Sequence, residues 1–381
     1  MRQFVFPKDF LWGAATSSHQ VEGNNHNDWT EWEKKRGLVE SGRACDHYNR
    51  FREDFDIAKQ LGHNAHRFSI EWSRIEPEEG KFNEREIEHY RDVILALRER
   101  GMEPFVTLWH WTLPLWVRDK GGIASPEFAN MFEPYAKRVA DDFGDLASFW
   151  ITINEPMIWT MNAFLRGIWP PQKKNALMYY RILRNLIAAH KAAYNIIKSA
   201  RADARVGVAK NNIYFDGGIM RHAARWWWNY WFLNRIRHHQ DFIGLNYYFH
   251  NRTKGFLFNQ NENKEVSDMG WEIYPEGLFH ILCDLKKYDK PIYITENGIA
   301  DAEDEKRARF IKDHLRWIAQ AMQRGVDVHG YFYWSLLDNF EWEKGFEPRF
   351  GLVEMDYQTM ARKIRPSAFV YRDVINAAST E

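Results

Sequence analysis

Cysteine is scarce in this chain, since Cys45 and Cys283 are the only two in 381 residues. Two cysteines cannot form a disulfide framework or a cysteine cluster for a metal ion, so a reducing cytoplasm is the expected location. No apolar run reaches about 18 residues, the length that spans a membrane. Residues 1–10 also lack the apolar centre of a signal peptide. We therefore expect neither a membrane span nor a signal peptide.

Net charge is missing as well, because 52 Lys and Arg residues balance 52 Asp and Glu residues. Nucleic acid and anionic membranes attract an excess of positive charge, so neither is an expected partner. Arginines alternate with tryptophans in residues 221–237, which could indicate nucleic-acid binding. With a net charge of zero, an amphipathic helix is the favoured interpretation of that segment. The composition favours a neutral small molecule as the partner.

Histidine could replace cysteine as a metal ligand, and four histidines lie in two short groups. They do not show a regular ligand spacing with acidic residues, so no metal ion and no cofactor are predicted; the four are His63, His66, His238 and His239. Aromatic residues, in contrast, are abundant at 16% of the chain, with 18 tryptophans. Flat aromatic faces suit sugar rings, but they also pack well in protein cores.

Apolar patterning predicts about eight strands that alternate with helices, with no linker between halves. The predicted strands are 10–15, 65–70, 104–108, 149–154, 205–210, 241–246, 292–296 and 328–334, and the main predicted helices are 48–61, 87–97, 125–143, 186–197, 275–288 and 311–322. Such alternation requires a parallel sheet, and eight units close it into a barrel. The prediction is an α/β fold in which residues 1–381 form a single (β/α)8 TIM barrel.

Two glutamates stand at the ends of predicted strands. Glu296 precedes Asn297 and Gly298, which break the strand, and Glu155 precedes Pro156, which disfavours both helix and strand pairing at that point. A single glutamate in such a position is more often a cap or a surface charge. Two of them supply what a site needs if one carboxyl acts as a nucleophile and the other as a proton donor.

Other polar and aromatic residues also fall at or just beyond predicted strand ends. In a closed barrel these ends share one rim, where barrel enzymes assemble their sites. Eight side chains are therefore expected to converge on one opening: Gln20, Arg67, His110, Asn154, Glu155, Asn246, Glu296 and Trp334. His110 could instead be a buried core histidine, but its position favours contact with a ligand.

Six segments, taken in order along the chain, resemble the motifs of glycoside hydrolase family 1, the β-glucosidase and β-galactosidase family. They are residues 10–23 (FLWGAATSSHQVEG), 66–75 (HRFSIEWSRI), 152–156 (TINEP), 244–248 (GLNYY), 294–298 (ITENG) and 334–342 (WSLLDNFEW). The resemblance covers nearly the whole chain. It implies a retaining exo-β-glycosidase, first of all a β-glucosidase with possible β-galactosidase or β-fucosidase activity, that works through a covalent glycosyl-enzyme.

The same resemblance implies roles for individual residues. Glu155 would be the general acid and base and Glu296 the nucleophile, whose charge Arg67 and Tyr248 would support by lowering its pKa. Asn154 would bind the 2-hydroxyl of the sugar. The predicted sugar-binding residues are Gln20, His110, Trp111, Asn154, Asn246, Trp334 as the stacking floor, Glu341 and Trp342. A carboxylate at Glu341 would repel phosphate, so an unphosphorylated glycone is expected.

Two alternatives remain open: a transglycosidase that uses the same intermediate, and a catalytically silent carbohydrate-binding barrel. The chain departs from common family patterns at Met157, where many relatives have an aromatic residue, and in residues 167–171, which replace a stretch that contains histidine. It is also shorter than most relatives, between residues 211 and 241 and after residue 298. Shorter rim loops predict an open mouth that admits short β-glycosides and longer oligosaccharides.

Overall fold

The computed structural model describes residues 5–379. The signal-peptide prediction falls partly on residues 1–4, and the predicted single domain includes residues 1–4 and 380–381; these residues lie outside the described part. Eight strands pair in chain order into a closed parallel barrel, and β8 pairs with β1. They are β1 (Leu11–Ala15), β2 (Ala65–Ser69), β3 (Glu103–Trp109), β4 (Phe149–Asn154), β5 (Arg205–Gly217), β6 (Ile243–Thr253), β7 (Ile292–Asn297) and β8 (Val328–Trp334). The predicted (β/α)8 fold is confirmed.

Helices fill the connections between strands and cover the outside of the barrel. They are α1 (Ser18–Val21), α2 (Asp28–Arg36), α3 (His47–Gln60), α4 (Trp72–Ile75), α5 (Glu84–Glu99), α6 (Leu115–Asp119), α7 (Phe128–Phe143), α8 (Pro156–Met161), α9 (Ala176–Ala200), α10 (Met220–Ala224), α11 (Trp231–Ile236), α12 (Pro275–Leu285), α13 (Arg307–Gln323) and α14 (Pro366–Ser379). Two π-helical segments, Asn162–Arg166 and Arg225–Tyr230, continue α8 and join α10 to α11. Across residues 5–379, no helix combines the length and the apolarity needed to cross a bilayer.

The predicted strands agree closely with the observed ones, except at β5 and β6. The sequence predicts that these two strands end at residues 210 and 246, but they continue to Gly217 and Thr253. Their parallel pairing resumes after an irregularity and runs from Ile213 opposite Phe249 to Gly217 opposite Thr253. The two strands therefore rise beyond the barrel rim and form one wall above it.

Two other local features differ from the sequence prediction. The helix expected to begin at Ser125 begins at Phe128, because residues 125–127 form a turn in which Ser125 Oγ accepts from the Glu127 N–H at 3.3 Å. A small antiparallel sheet of β9 (Val353–Met355) and β10 (Arg362–Ile364), which the sequence pattern did not indicate, lies between β8 and α14.

Large side chains fill the barrel interior and give the site a solid floor. Phe105 stacks on Phe149 with ring centroids 4.2 Å apart, and both rings contact Tyr293. Small residues on neighbouring strands, among them Ala15, Ala65 and Ala209, leave space for these rings. Because this layer is closed by aromatic packing, a ligand can occupy the barrel only at the carboxyl end of the strands.

A substitution at Gly298 tests how tightly the barrel is closed beside Glu296. A Cβ atom added at Gly298 would lie 1.8 Å from the backbone oxygen of Trp334. We expect Gly298→Ala to lower the free energy of unfolding by roughly 3 kcal/mol, since two backbone segments must separate. Gly37→Ala is the control, because its Cβ meets no atom within 4 Å and only its positive φ of 61° is strained, at a cost of about 1 kcal/mol. Equal thermal unfolding midpoints for the two variants would contradict this interpretation.

Candidate active site

Glu155 owes its position to the end of β4 and to the proline that follows. β4 ends at Asn154, and Pro156 is the first residue of α8, so the chain turns sharply at Glu155, which has φ 44° and ψ 59°. This left-handed conformation is unfavourable for a residue with a side chain, and such strain concentrates at functional sites. The Glu155 N–H donates to the Ala209 carbonyl of β5 at 2.8 Å, which fixes the turn.

Glu296 lies within β7 and is held by two donors. Arg67 of β2 donates from Nη1 to Glu296 Oε1 at 2.5 Å, and the Tyr248 hydroxyl donates to Oε2 at 2.9 Å. The Arg67 side chain is only 1% exposed, so solvent screens this ion pair weakly. Both Glu296 oxygens are therefore oriented by charge-assisted hydrogen bonds.

A chain of hydrogen bonds links the two glutamates through Asn154 and Asn246. Arg67 Nη2 donates to Asn154 Oδ1 at 2.7 Å, and Asn246 Nδ2 donates to the same oxygen at 3.2 Å. Asn246 Nδ2 also donates to Glu155 Oε1 at 2.9 Å. One network from β2, β4, β6 and β7 thus sets the relative position of both carboxyl groups.

The two carboxyl groups share a buried environment but differ in their neighbours. Burial is the main cause that raises the pKa of Glu155 to about 8, and the charge of Glu296 is the second cause. Burial also raises the pKa of Glu296, although Arg67 and Tyr248 act in the opposite direction. Arg67 and Tyr248 thus lower the pKa of Glu296 as the sequence predicts, but the loss of hydration outweighs both contributions. Arg67 and Tyr248 still favour the charged form of Glu296, so the proton resides on Glu155.

These carboxyl groups face a cavity of about 1060 Å³ at the carboxyl end of the barrel. Nine of the residues predicted for the site line it: Gln20, His110, Trp111, Glu155, Tyr248, Glu296, Trp334, Glu341 and Trp342. The other three, Arg67, Asn154 and Asn246, lie directly behind the wall and are 1% exposed or less. Asn154 Nδ2 is 3.0 Å from His110 Nε2, so a sugar hydroxyl would have to share that amide.

Aromatic rings form the deep end of the cavity. The His110 ring lies nearly parallel to Trp334 and to Trp342, with centroids 6.0 Å and 6.1 Å apart. Trp111 and Trp342 have φ values of 79° and 53°, left-handed conformations that the surrounding packing maintains. This end therefore offers flat apolar surfaces next to a few polar groups.

Gln20 and Glu341 provide the polar groups at this end. Gln20 Nε2 donates to the Phe340 carbonyl at 2.8 Å and to Glu341 Oε2 at 3.4 Å. Burial raises the pKa of Glu341 to about 8, and the charge of Glu343 is the second cause. At neutral pH Glu341 therefore carries a proton and can both donate and accept hydrogen bonds.

Much of the outer cavity wall consists of residues that the sequence patterns did not indicate. The extended ends of β5 and β6 and the π-helical segment bring additional residues to it, namely Asn211, Ile213, Phe215, Trp227, Trp228 and Phe249. The tryptophans at 226–228 are helical as predicted, but two of them contact the cavity rather than only the protein core. The helical pattern indicated a buried face and gave no sign that this face borders an opening.

The two departures from the family patterns occupy different places. Met157 is fully buried behind the site, so it does not replace an aromatic wall residue. Trp169 lines the cavity, packs on Trp111 with centroids 4.6 Å apart and donates from its indole N–H to Glu343 at 2.5 Å. Residues 167–171, the segment without the histidine that is common in the family, thus place the Trp169 indole at the rim of the cavity.

The histidines considered as metal ligands are not assembled into a site. His63 is buried, and burial lowers its pKa to about 3. Within residues 5–379, the structure contains no group of three or more His, Cys, Asp or Glu side chains arranged to hold a metal ion.

Comparisons with known proteins identify the family of the chain. The sequence model of glycosyl hydrolase family 1 matches residues 2–215 and 232–380. "Beta-glucosidase A" of Thermotoga maritima is 36% identical over 437 aligned residues, which cover 97% of each chain.

Solved structures of similar proteins include a "beta-glycosidase from Pyrococcus horikoshii", with 40% identity and a TM-score of 0.93 over 100% of this chain and 96% of that one. "Beta-glucosidase from Thermotoga maritima in complex with castanospermine" has 34% identity and a TM-score of 0.91 over 99% of this chain and 100% of that one. Fold and sequence agree over nearly the full length of these proteins. The chain belongs to glycosyl hydrolase family 1 and is a glycoside hydrolase.

Proposed function

We propose that this protein is a retaining, exo-acting β-glucosidase that also accepts the related β-galactosides and β-fucosides. The observation that carries the proposal is the buried pair of Glu155 and Glu296, joined by Arg67 and the two asparagines. One carboxyl is held by an arginine and a tyrosine, while the other has only amide contacts. This asymmetry supports assignment of Glu296 as the nucleophile and Glu155 as the acid and base.

In the first half-reaction Glu155 gives its proton to the glycosidic oxygen while Glu296 attacks the anomeric carbon. The leaving group departs as an alcohol, and a glycosyl ester forms on Glu296. The raised pKa of Glu155 keeps it protonated at neutral pH, as this step requires. Arg67 and Tyr248 orient the attacking carboxylate.

In the second half-reaction Glu155 acts as a base. Esterification removes the negative charge of Glu296, which is the second cause of the raised pKa of Glu155 after burial, so the pKa of Glu155 falls. Glu155 then remains ionised and takes a proton from the water that attacks the anomeric carbon. Glu296 leaves as a carboxylate, and the sugar keeps its β-configuration.

Sugar binding is assigned to the deep end of the cavity. Gln20 and Glu341 would bind hydroxyls, with His110, Trp111 and Trp342 beside them and Trp334 as the stacking floor. Asn154 would contact the 2-hydroxyl, and Asn246 would orient Glu155.

The barrel is closed below the site, so an oligosaccharide can enter the cavity only by its end. This closure supports exo action. Repulsion of phosphate requires the charged form of Glu341, which prevails only above a pH of about 8, so an unphosphorylated glycone stays a prediction.

The cavity size and the free thiols bear on the remaining predictions. A cavity of about 1060 Å³ exceeds the space a single sugar requires, which supports entry of short oligosaccharides as well as simple β-glycosides.

Cys45 and Cys283 are both free, which supports a reducing cytoplasm as the location. A single domain over residues 1–381 and the absence of nucleic-acid and membrane partners also stay predictions.

Removal of the nucleophile tests the assignment most directly. We expect Glu296→Gly to lower hydrolysis of a nitrophenyl β-glucoside by roughly 10⁴-fold or more, because no covalent intermediate can form. Glu303→Gly, an exposed glutamate in the loop after β7, is the matched control and should keep wild-type activity. Added azide should restore product as the α-glycosyl azide, since the anion enters the space left on that side. Unchanged turnover of Glu296→Gly would refute the assignment and favour a different active centre.

The configuration of the first product distinguishes retention from inversion. Proton NMR during hydrolysis of an aryl β-glucoside should show the β-anomer before mutarotation. A second spectrum with a sugar acceptor in excess shows whether transfer to the sugar competes with hydrolysis. The α-anomer as the first product would exclude the double displacement. Transfer that greatly exceeds hydrolysis at low acceptor concentration would favour the transglycosidase, and no product at all would favour the silent binding barrel.

The pH dependence follows from the pKa of Glu155. Because Glu155 must be protonated to assist departure of the leaving group, kcat/KM should fall as the pH rises through about 8. At low pH it should fall again as Glu296 becomes protonated. In Glu155→Gln the upper limb should vanish for an aryl glucoside whose leaving group needs no acid. An upper limb that persists in this variant would assign it to another residue.

A further inference from the structure

Lys210 is a buried lysine for which the proposed reaction has no role so far. It lies on β5, its relative exposure is 0%, and it does not line the cavity. Its ammonium group donates to the backbone carbonyl of Asn211, and it lies 3.5 Å from Asn212 Oδ1 and 5.5 Å from the centre of the Trp228 ring. No carboxylate of residues 5–379 forms an ion pair with it. The charge therefore has carbonyl acceptors but no direct counter-ion.

The backbone places Lys210 next to the acid and base. The Glu155 N–H donates to the carbonyl of Ala209, the residue immediately before Lys210. The residue immediately after it, Asn211, lines the cavity, and its Oδ1 accepts from the Trp228 indole at 3.4 Å. Lys210 thus lies behind the wall from which Glu155 projects. Glu155 is the one titratable group, among the described residues, whose charge acts appreciably on Lys210.

A charge in this position is costly to the fold. Burial lowers the pKa of Lys210 to about 7, and the negative charge of Glu155 acts in the opposite direction. An unpaired ammonium group in a dry environment destabilises a protein, and an apolar side chain of similar length would fill the same space without that cost. The charge is therefore useful only if it acts on a neighbouring group.

We propose that Lys210 is a positioning residue for the second half-reaction, in which its positive charge stabilises the carboxylate of Glu155. The proposal rests on the function assigned to Glu155 above. In the free enzyme Glu296 is charged and favours the protonated form of Glu155. Once Glu155 has given its proton to the leaving group and Glu296 is esterified, Lys210 is the positive charge behind the Glu155 turn, while Arg67 stays beside the esterified Glu296. A Glu155 carboxylate held in this way can take a proton from water.

The direct test is a titration of Glu155 by NMR with ¹³C-labelled glutamate, assigned by comparison with Glu155→Gln. All variants are compared in a Glu296→Gln background, where position 296 carries no charge, as in the glycosyl-enzyme, so that Glu155 titrates at a lower pH at which Lys210 is protonated. Two uncharged variants, Lys210→Met and Lys210→Gln, should each raise the pKa of Glu155 by about one pH unit, since a nearby positive charge is lost. Lys210→Arg keeps the charge and should leave the pKa of Glu155 at or below its wild-type value. Arg205→Met, which removes a positive charge at the opposite end of the same strand, should leave it unchanged.

A kinetic measurement on the same variants separates an electrostatic role from packing. With dinitrophenyl β-glucoside, whose leaving group needs no acid, Lys210→Met should slow hydrolysis of the glycosyl-enzyme several-fold. Both kcat and KM should then fall while kcat/KM stays the same, with a burst of dinitrophenol. A lower thermal unfolding midpoint with an unshifted Glu155 titration would overturn the proposal and leave Lys210 a packing role beneath Trp228. If the wild-type enzyme failed to hydrolyse β-glucosides, the proposed function would fall, while the titration would still decide whether Lys210 acts on Glu155.

Discussion

The contact between Arg67 and Glu296 is the interaction on which the rest of the site depends. One guanidinium group donates to Glu296 through Nη1 and to Asn154 through Nη2, so it spans the interior between three strands. Without this charge, burial would make both glutamates neutral, because neither could be kept ionised in a dry cavity. With it, one carboxyl stays charged, and that charge in turn keeps the other protonated. The charge of Arg67 thereby gives two glutamate side chains different protonation states.

The barrel makes this arrangement possible. Parallel strands end on one rim, so residues distant in the sequence can meet there without long flexible loops. β2, β4, β6 and β7 each contribute one or more members of the network, and the aromatic layer below them prevents their collapse into the interior. Because the supporting residues lie on strands, their positions are fixed more tightly than loop residues would be.

Sequence patterns predicted the barrel and the two glutamates because both depend on local rules. Helical and strand periodicities identify elements, and a strand that stops at Pro156 or Gly298 marks a rim position. The extension of β5 and β6 could not be predicted in this way, since it depends on pairing between two strands above the rim. The positive φ values of Trp111 and Trp342 were also hidden, because such strain is imposed by packing from distant parts of the chain.

The carboxyl groups that line the cavity limit the net charge that it can hold. Glu155, Glu296 and Glu341 face the same opening. The charge of Glu296 raises the pKa of both Glu155 and Glu341, and the charge of Glu155 also raises that of Glu341. Arg67 compensates one negative charge at most, so at neutral pH the set holds one carboxylate and two acids. In the reaction proposed above, formation of the glycosyl ester would remove that carboxylate, and the ionised Glu155 would take over the single negative charge. The net charge of the cavity would thus stay nearly constant through the cycle, although the residue that carries it changes. A low-dielectric site tolerates this exchange because it never has to accommodate two unpaired negative charges together.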